Sequence, residues 1–327
     1  MTKAANHVAS LNRMISVVLP AHNAAATVRE AVLSVLSQAR ANLELIAIND
    51  GSTDRTLEVL STIADVRFTV HSTPRSGPAA SRNRGIALTS GAYVAFIDAD
   101  DVWLPGKLEA QAAALDRSPD AVAAYCWTDY VDADGRFVCP DSRPTHAGNV
   151  FERLLVHNFI DSGSSVMVRR QELLHAGCFD ETLPVVEDWD LYLRLASRGP
   201  FVCVPRTYVR YRLSSTSLST NVLAMERCFR RVIDRAFAAA PPDLQSLKRR
   251  SIALCYEYLI RKATQGFPTR DKARTALRFC AAAVSERPSD VWRILTTPWL
   301  LKGVAKAVLG YALPASRARR NRLDELS

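Results

Sequence analysis

Three carboxylates lie within four positions of the sequence, directly after an apolar run. Asp98, Asp100 and Asp101 follow residues 93–97, whose composition is that of a buried strand. Two carboxylates in D-x-D spacing suit Mg²⁺ or Mn²⁺, which take one or two protein carboxylates and leave positions for phosphate oxygens. The alternative is a loop of solvated acids that cap the next helix. The motif alone leaves both interpretations open.

For two further groups of acids, a functional and a purely structural interpretation also stand side by side. Asp50 ends the apolar run LELIAIND and opens NDGSTD, which is also typical of an Asp-Gly turn followed by a Ser/Thr helix cap. Glu187, Asp188 and Asp190 stand in the first turn of a predicted helix. The partial positive charge of a helix N-terminus favours acids there whatever their function.

The elements that must position these acids alternate along the first hundred residues. The pattern predicts buried strands at residues 15–19, where Pro20 would stop the first strand, and at 43–50, 66–72 and 92–98. Helices are predicted between them, the first capped by Thr27 and the second by Ser52 or Thr53. Such βαβ units form a mostly parallel sheet with helices on both faces. Because ligands bind outside the carboxyl ends of parallel strands, we expect PAHN, NDGS and DADD to converge in one cleft.

Four blocks of the chain resemble a known family in their order. The blocks are ISVVLPAHNAAATVREAVLSVLSQ, ELIAINDGSTDRT, RNRGIALTSGAYVAFIDADD and EDWDLYLRLA. Together they look like the successive blocks of family 2 glycosyltransferases, and the resemblance covers about residues 15–219. It implies a GT-A nucleotide-diphospho-sugar transferase fold, an α/β fold with a mostly parallel sheet flanked by helices, over residues 14–220.

The resemblance also implies how a nucleotide-sugar donor would be held. Asp50 would accept a hydrogen bond from the uracil ring, while Asn49 stands where the family usually has a first Asp. His22 replaces the Tyr of many relatives, and a stacking role survives that change. Asp98 and Asp100 would bind a divalent cation, Mn²⁺ or Mg²⁺, and Asp101 would be a further ligand or a cap. The nucleotide-sugar-binding set implied by the resemblance is Pro20, Ala21, His22, Asn23, Asp50, Arg84, Asp98, Ala99, Asp100, Tyr211 and Arg212.

On the acceptor side, the resemblance places the general base on the second acid of the ED block. That acid is Asp188, with Glu187 positioning it or the acceptor. A single displacement assisted by one base inverts the anomeric centre, so an α-linked donor would give a β-glycoside. A UDP-linked donor is favoured, with dTDP and GDP left open. The acceptor would be a saccharide hydroxyl, plausibly on a lipid carrier, in cell-surface polysaccharide or glycoconjugate synthesis.

Composition fits a globular cytoplasmic protein. The 327 residues are 48% hydrophobic and 23% charged, enough for one large or two smaller domains. Seven cysteines, an odd number without a C-x-x-C pair, favour reduced thiols over disulfides or zinc. The N-terminal residues lack the apolar core of a secretory signal.

More than half of the net charge of +9 lies after residue 290, where seven basic residues face two acidic ones. Residues 221–290 predict a helical appendage of three amphipathic helices. In residues 291–327, Pro298, Lys302 and Lys306 interrupt an apolar run, which makes it a poor transmembrane span. Residues 291–323 are instead typical of a helix that lies on the inner membrane surface beside anionic lipid, making the protein peripheral at the cytoplasmic face. The alternative is a helix that docks on its own protein or on a dimer partner.

Several function classes are disfavoured. The segment after the first strand, PAHNAAATV, lacks the Gly-rich loop expected of a sugar nucleotidyltransferase and the G-x-G-x-x-G of a dinucleotide oxidoreductase. No nucleic-acid-binding module accompanies the basic tail, so nucleic acid is not an expected partner. Two alternatives stay open: transfer to polyprenyl phosphate, which needs no base, and a non-catalytic nucleotide-binding scaffold at the membrane.

Overall fold

The computed structural model describes residues 13–39, 42–213, 221–264, 269–290 and 305. The chain forms two compact units. The first comprises Met1–Leu154 and Asn158–Ser215, and the second comprises Leu155–His157 and Thr216–Ser327.

Four parallel strands form one half of the central sheet of the first unit. They lie in the order β3-β2-β1-β4, as the βαβ pattern predicts. Strand β1 continues past Pro20, where the sequence predicts its end, and Pro20 pairs with Ile48 of β2. Pairing of β1 with β4 already ends at Val18, so Pro20 has a strand on one side only, a position where a missing backbone donor is tolerated. The strands are β1 (Ile15–Ala21), β2 (Leu43–Asp50), β3 (Phe68–Thr73) and β4 (Tyr93–Phe96).

Three helices connect these strands. Helix α1 (Val28–Leu36) buries an apolar stripe that begins at Val28 and Val32. Thr27 occupies the N-cap position but makes no capping hydrogen bond. Helix α2 (Thr56–Ser61) begins later than the predicted cap at residue 52 or 53. Helix α3 (Pro78–Leu88) begins with proline at a position where its missing N–H has no helical partner to lose.

The other half of the sheet is mixed. The spatial order continues from β4 as β8-β6-β9-β5, with β7 on β6. Strand β8 is antiparallel to both β4 and β6, whereas β6 and β9 are parallel. The strands here are β5 (Val102–Trp103), β6 (Ala123–Val131), β7 (Phe137–Pro140), β8 (Val166–Arg169) and β9 (Phe201–Arg212). The helices are α4 (Lys107–Arg117), α5 (Phe151–Val156), α6 (Arg170–His175) and α7 (Glu187–Ala196).

The second unit contains the three helices predicted from the sequence. They are α8 (Val222–Ala239), α9 (Lys248–Ala263) and α10 (Arg270–Glu286). Glu226 of α8 accepts hydrogen bonds from the Tyr256 hydroxyl at 3.1 Å and from Arg278 at 2.6 Å, and so connects all three. Among the described residues, no helix is both long and apolar enough to cross a bilayer. The predicted membrane-surface segment, residues 291–323, lies outside the described residues except for residue 305.

Helix α3 lies unusually close to β1 because of one glycine. A Cβ built on Gly85 would lie 2.3 Å from Val18 Cγ1, so any larger residue forces the helix away from the sheet. Ile86, beside Gly85, is buried. The close approach therefore fixes how far the side chains of α3 reach over the carboxyl end of the sheet.

We expect Gly85→Ala to destabilise the protein by about 1–3 kcal/mol, the usual range for overpacking a core. The measurement is the free energy of unfolding in urea. Gly163→Ala is the control, because its added Cβ would meet only Arg82 Nη2 at 4.0 Å. Equal stability of the two variants would contradict the close packing of α3 on β1.

Candidate active site

The D-x-D loop after β4 is fixed from behind by a serine. The Asp98 amide donates to Ser164 Oγ at 3.0 Å, and the Ser164 hydroxyl donates to Asp101 Oδ2 at 2.6 Å. Asp101 is fully buried and also accepts from the Arg212 amide at 3.2 Å. Asp101 therefore anchors the loop; the next helix, α4, has Gly106 at its N-cap.

The electrostatics of this loop fit a cation. Burial, together with the neighbouring charge of Asp98, raises the pKa of Asp100 to about 6. Burial also raises the pKa of Asp101 well above its ordinary value, and the charges of Asp98 and Asp100 add to the effect. Three carboxyl groups thus crowd one loop, and a divalent cation between Asp98 and Asp100 would relieve that repulsion.

Asp98 and Asp100 alone would supply only part of a coordination sphere. Within the described ranges, no group of three or more His, Cys, Asp or Glu side chains is arranged to hold a metal ion. Two carboxylates nonetheless match Mg²⁺ or Mn²⁺, which keep further positions for water or phosphate oxygens. The Asp98 side chain is 31% exposed, so it is open to such a ligand.

A buried arginine joins this loop to Glu187, the residue next to the predicted base. Arg82 of α3 is 6% exposed, and its Nη2 lies 2.6 Å from Asp98 Oδ1. Its Nη1 lies 2.6 Å from Glu187 Oε1, and the guanidinium carbon is 5.4 Å from the centre of the Phe179 ring. Although burial acts to lower the pKa of Arg82, the charges of Asp98 and Glu187 raise it overall, so Arg82 remains charged.

Sequence reasoning selected Arg84 and missed Arg82. Arg82 belongs to the buried stripe of α3 with Ala79 and Ile86, at i, i+3 and i+7, and this spacing could have identified it. Arg84 is 41% exposed, donates to the hydroxyl groups of Thr73 and Ser76, and lies 3.9 Å from Asp50. The two arginines of one helix thus serve different parts of the cleft.

The predicted base stands at the first turn of α7. Asp188 Oδ1 accepts from the Trp189 amide at 2.6 Å. Burial and the adjacent Glu187 charge raise the pKa of Asp188 to about 7. Val186, just before the helix, has φ of 68°, a left-handed conformation that is rare for a β-branched residue. Such strain persists only where the surroundings hold it, and the Arg82–Glu187 ion pair is one such restraint.

Asp50 lies in the cleft, but both carboxylate oxygens are already occupied. Oδ1 accepts from the Ser76 amide and hydroxyl, each at 2.8 Å. Oδ2 accepts from the Gly77 amide at 2.9 Å and from Arg75 at 2.6 Å. Burial would raise the pKa of Asp50, but the bonds from Ser76 and Gly77 outweigh it, so the pKa lies below its ordinary value. Asp50 thus holds the turn before α3.

The neighbouring Asn49 has an unused acceptor. It is 4% exposed, and its amide nitrogen donates to Ser72 Oγ at 3.2 Å. Its Oδ1 is buried without a hydrogen-bond partner within the described part of the chain. A buried polar atom without a partner carries a desolvation cost, which an ordered water at this position would offset.

The loops that follow β1 and β2 are joined by hydrogen bonds, and we call this arrangement the loop clasp. The backbone amides of Asn23, Ala24 and Ala25 donate to side-chain oxygens of the second loop. The acceptors are Ser52 Oγ, Thr56 Oγ1 and Asp54 Oδ2, at 3.1, 2.7 and 3.1 Å. The side chains of Ser52 and Asp54 are thus engaged between loops just before α2, and Thr56 is the first residue of that helix.

His22 precedes the loop clasp. Its Nδ1 lies 2.9 Å from the Asp50 carbonyl oxygen. Because a carbonyl only accepts, Nδ1 carries a proton in this contact. Pro20 and Ala21 pair with Ile48 and Asn49, so the end of β1 lies beside the unpartnered Asn49 oxygen.

The two residues predicted at the end of β9 make protein contacts. Arg212 donates to the carbonyls of Asp100 at 3.1 Å and Ala133 at 2.6 Å, and to Glu30 at 2.8 Å. Its guanidinium therefore braces the D-x-D loop, which includes the buried Ala99. Tyr211 meets Tyr130 edge to face, with ring centres 5.6 Å apart.

The predicted residues thus form two groups at one edge of the sheet. The first group surrounds the ends of β1 and β2, and the second surrounds the D-x-D loop and the start of α7. Helix α3 contributes to both, through Arg84 in the first and Arg82 in the second. A model of the family described as "Glycosyltransferase like family 2" matches residues 16–263.

The chain belongs to this glycosyltransferase family. It is 29% identical over 223 residues to the Escherichia coli enzyme WfgD, named a UDP-Glc:alpha-D-GlcNAc-diphosphoundecaprenol beta-1,3-glucosyltransferase, covering 64% of this chain and 80% of that protein. It is also 29% identical over 186 residues to an uncharacterized glycosyltransferase of Rickettsia bellii, covering 57% of this chain and 26% of the relative. The chain therefore spans about a quarter of the length of that larger relative.

Solved structures of glycosyltransferases share the fold. The structure of Staphylococcus aureus TarS residues 1–349 in complex with UDP-GlcNAc superposes with a TM-score of 0.59 at 19% identity, covering 91% of this chain and 89% of TarS. The mannosyltransferase PcManGT of Pyrobaculum calidifontis, in complex with GDP-Man and Mn²⁺, gives a TM-score of 0.58 at 18% identity, with coverage of 92% and 87%. The GT-A glycosyltransferase fold predicted from the sequence is confirmed.

We expect Asp50→Asn to lower the free energy of unfolding by about 2–3 kcal/mol near neutral pH, because four hydrogen bonds to a charged acceptor are weakened. A lowered pKa stabilises the fold above the ordinary value of 3.8, and this contribution is lost as the pH falls below it. The difference between wild type and variant should therefore shrink between pH 6 and pH 3. Urea unfolding across that range measures it, with exposed Asp243→Asn as control. A difference independent of pH would contradict the assignment.

Proposed function

We propose that this chain is an inverting glycosyltransferase that moves a sugar from a UDP-linked donor to a hydroxyl group of a lipid-linked saccharide. The observation that carries the proposal is the double ion pair of Arg82. It brings Asp98, on the side of the donor, and Glu187, beside the base, to one guanidinium group. A donor site and a base must adjoin in this way for a direct displacement.

In this proposal the nucleotide occupies the ends of β1 and β2. His22 offers a ring face held by its bond to the Asp50 carbonyl, and the base stacks there. TarS has been captured with UDP and with UDP-GlcNAc, which supports a uridine nucleotide on this fold.

Asp98 and Asp100 would hold Mn²⁺ or Mg²⁺, which stabilises the negative charge of the departing diphosphate as a Lewis acid. The complex of PcManGT with Mn²⁺ supports a divalent cation on this fold. Other residues of the chain hold the loop that carries the Asp98 and Asp100 carboxylates. Ser164 and Asp101 hold the loop from one side, and Arg212 holds the Asp100 carbonyl from the other.

Asp188 acts as general base in this scheme. The acceptor hydroxyl loses its proton to Asp188 as its oxygen attacks the anomeric carbon from the face opposite the diphosphate. A pKa of about 7 matches the task, because such a carboxylate is substantially ionised at neutral pH and holds a proton well. Glu187 is occupied by Arg82, so it positions the start of α7.

A lipid-linked acceptor is supported by the name of WfgD and by the distribution of charge. Residues 13–213 carry 20 basic and 24 acidic side chains, whereas residues 221–290 carry 14 basic and 7 acidic. The second unit and the tail are thus the cationic part of the chain, which suits an anionic membrane surface. We infer peripheral association with the cytoplasmic face of a membrane, where residues 291–323 would take part.

The first test is calorimetric titration with UDP in the presence of Mn²⁺. We expect binding that EDTA abolishes and that Asp100→Ala weakens by at least about tenfold, since one of two carboxylate ligands is lost. Asp134→Ala, an exposed acid outside the cleft, is the control. Absence of UDP binding in the wild type would contradict a UDP-linked donor, and binding indifferent to metal would overturn the D-x-D assignment.

The second test concerns the base. We expect the rate of sugar transfer to rise with pH through about 7, because only ionised Asp188 accepts a proton. Asp188→Asn should lower the transfer rate about 10²–10⁴-fold while UDP affinity stays within a factor of two or so. The measurement is single-turnover transfer across pH 5.5–8.5. Full activity of the variant would instead favour polyprenyl phosphate as acceptor, whose oxygen is already ionised.

A further inference from the structure

The Arg82 guanidinium is one cation shared by two carboxylates that come from distant parts of the chain. Asp98 is 16 residues away and Glu187 is 105 residues away, and each lies 2.6 Å from a different terminal nitrogen. The two nitrogens belong to one rigid plane, so a displacement of one carboxylate moves the group that holds the other. Phe179 lies against the guanidinium.

We propose that Arg82 is a positioning residue that couples cation binding at Asp98 to the placement of Glu187 and hence of the base. The proposal rests on the proposed function, because it takes Asp98 as a ligand of the donor's cation. Arg82 occupies only Oδ1 of Asp98, and the same side chain is 31% exposed. One oxygen is therefore held by the arginine while the side chain stays open toward the cleft.

The coupling has a direction that follows from charge. In the wild type, Glu187 neutralises part of the positive charge that Arg82 presents to Asp98. When Glu187 becomes Gln, Arg82 has one anionic partner and holds Asp98 more strongly. The arginine then competes more effectively with a cation for that carboxylate. A change at the start of α7 should therefore weaken cation-dependent nucleotide binding, although Glu187 itself is not proposed to touch the nucleotide.

The chain offers a matched control on the same helix. Asn83, next to Arg82, donates to Glu181 Oε1 at 2.9 Å, just as Arg82 donates to Glu187. Glu181 and Glu187 thus both contact adjacent residues of α3, but only Glu187 shares its partner with Asp98. Glu181→Gln removes a carboxylate from the neighbouring contact without changing the charge balance of Arg82.

The experiment is a double-mutant cycle in the full chain, read by calorimetric titration of UDP with Mn²⁺. Glu187→Gln is expected to weaken binding about tenfold, the lower end of what changes in the residues around metal ligands cost. Glu181→Gln is expected to bind as the wild type does. In an Arg82→Gln background, adding Glu187→Gln is expected to change nothing further. Thermal unfolding confirms that each variant is folded.

A purely structural role for Arg82 predicts different results. The coupling would be overturned if Glu187→Gln left the UDP affinity unchanged. It would also be overturned if Glu187→Gln lowered the UDP affinity equally with and without Arg82. Either result leaves the proposed function intact. Failure of the wild type to bind UDP with Mn²⁺ would overturn both. If Arg82→Gln does not fold, Arg82→Lys takes its place, since a single ammonium group cannot hold two carboxylates in the same geometry. The effect of Glu187→Gln should then fall below about twofold, and an undiminished effect would refute the proposal.

Discussion

The first unit is arranged around the buried charge of Arg82. A cation that is 6% exposed must have anionic partners, because an unpaired buried charge is strongly destabilising, and breaking such a pair typically costs about 3–5 kcal/mol. Asp98 and Glu187 meet that requirement from different elements. The close packing of Gly85 on Val18 sets the distance of α3 from the sheet, and so allows the guanidinium to reach both partners.

The same arrangement gives different carboxylates different tasks. Asp101 and Asp50 are saturated by hydrogen bonds and hold backbone in place, the first behind the D-x-D loop and the second before α3. The charge of Asp98 helps to raise the pKa of Asp100, and the pKa of Asp188 is about 7. Position in the fold, rather than residue type, therefore separates the acids that support the cleft from those available for chemistry.

Much of the parallel half of the sheet was predictable from the sequence, because the patterns that indicate each strand or helix lie within that element. Unbroken apolar runs ending in polar turns predicted β1, β2 and β4, and the helical stripe beginning at Val28 predicted α1. The order β4-β8-β6-β9 was not predictable, since it depends on pairings between segments far apart in sequence. For the same reason the partners of Arg82 could not be found, although its place in the buried stripe of α3 was visible. Ser52 looks like a helix cap in isolation, and only the neighbouring loop reveals its use in the loop clasp. Thr53, the other predicted cap, instead donates its backbone amide to Asn23 Oδ1. The assigned roles of the cleft residues stay predictions.

The loop clasp has a consequence for how a ligand is received. Three consecutive amides of an irregular segment normally exchange with water, but in this chain each donates to a side chain of the adjacent loop. The segment after β1 is therefore pre-organised before any ligand arrives, and little conformational entropy is left for binding to remove. A ligand that binds at the ends of β1 and β2 should therefore remove little conformational entropy from this segment. Its association rate should be set by diffusion into the cleft.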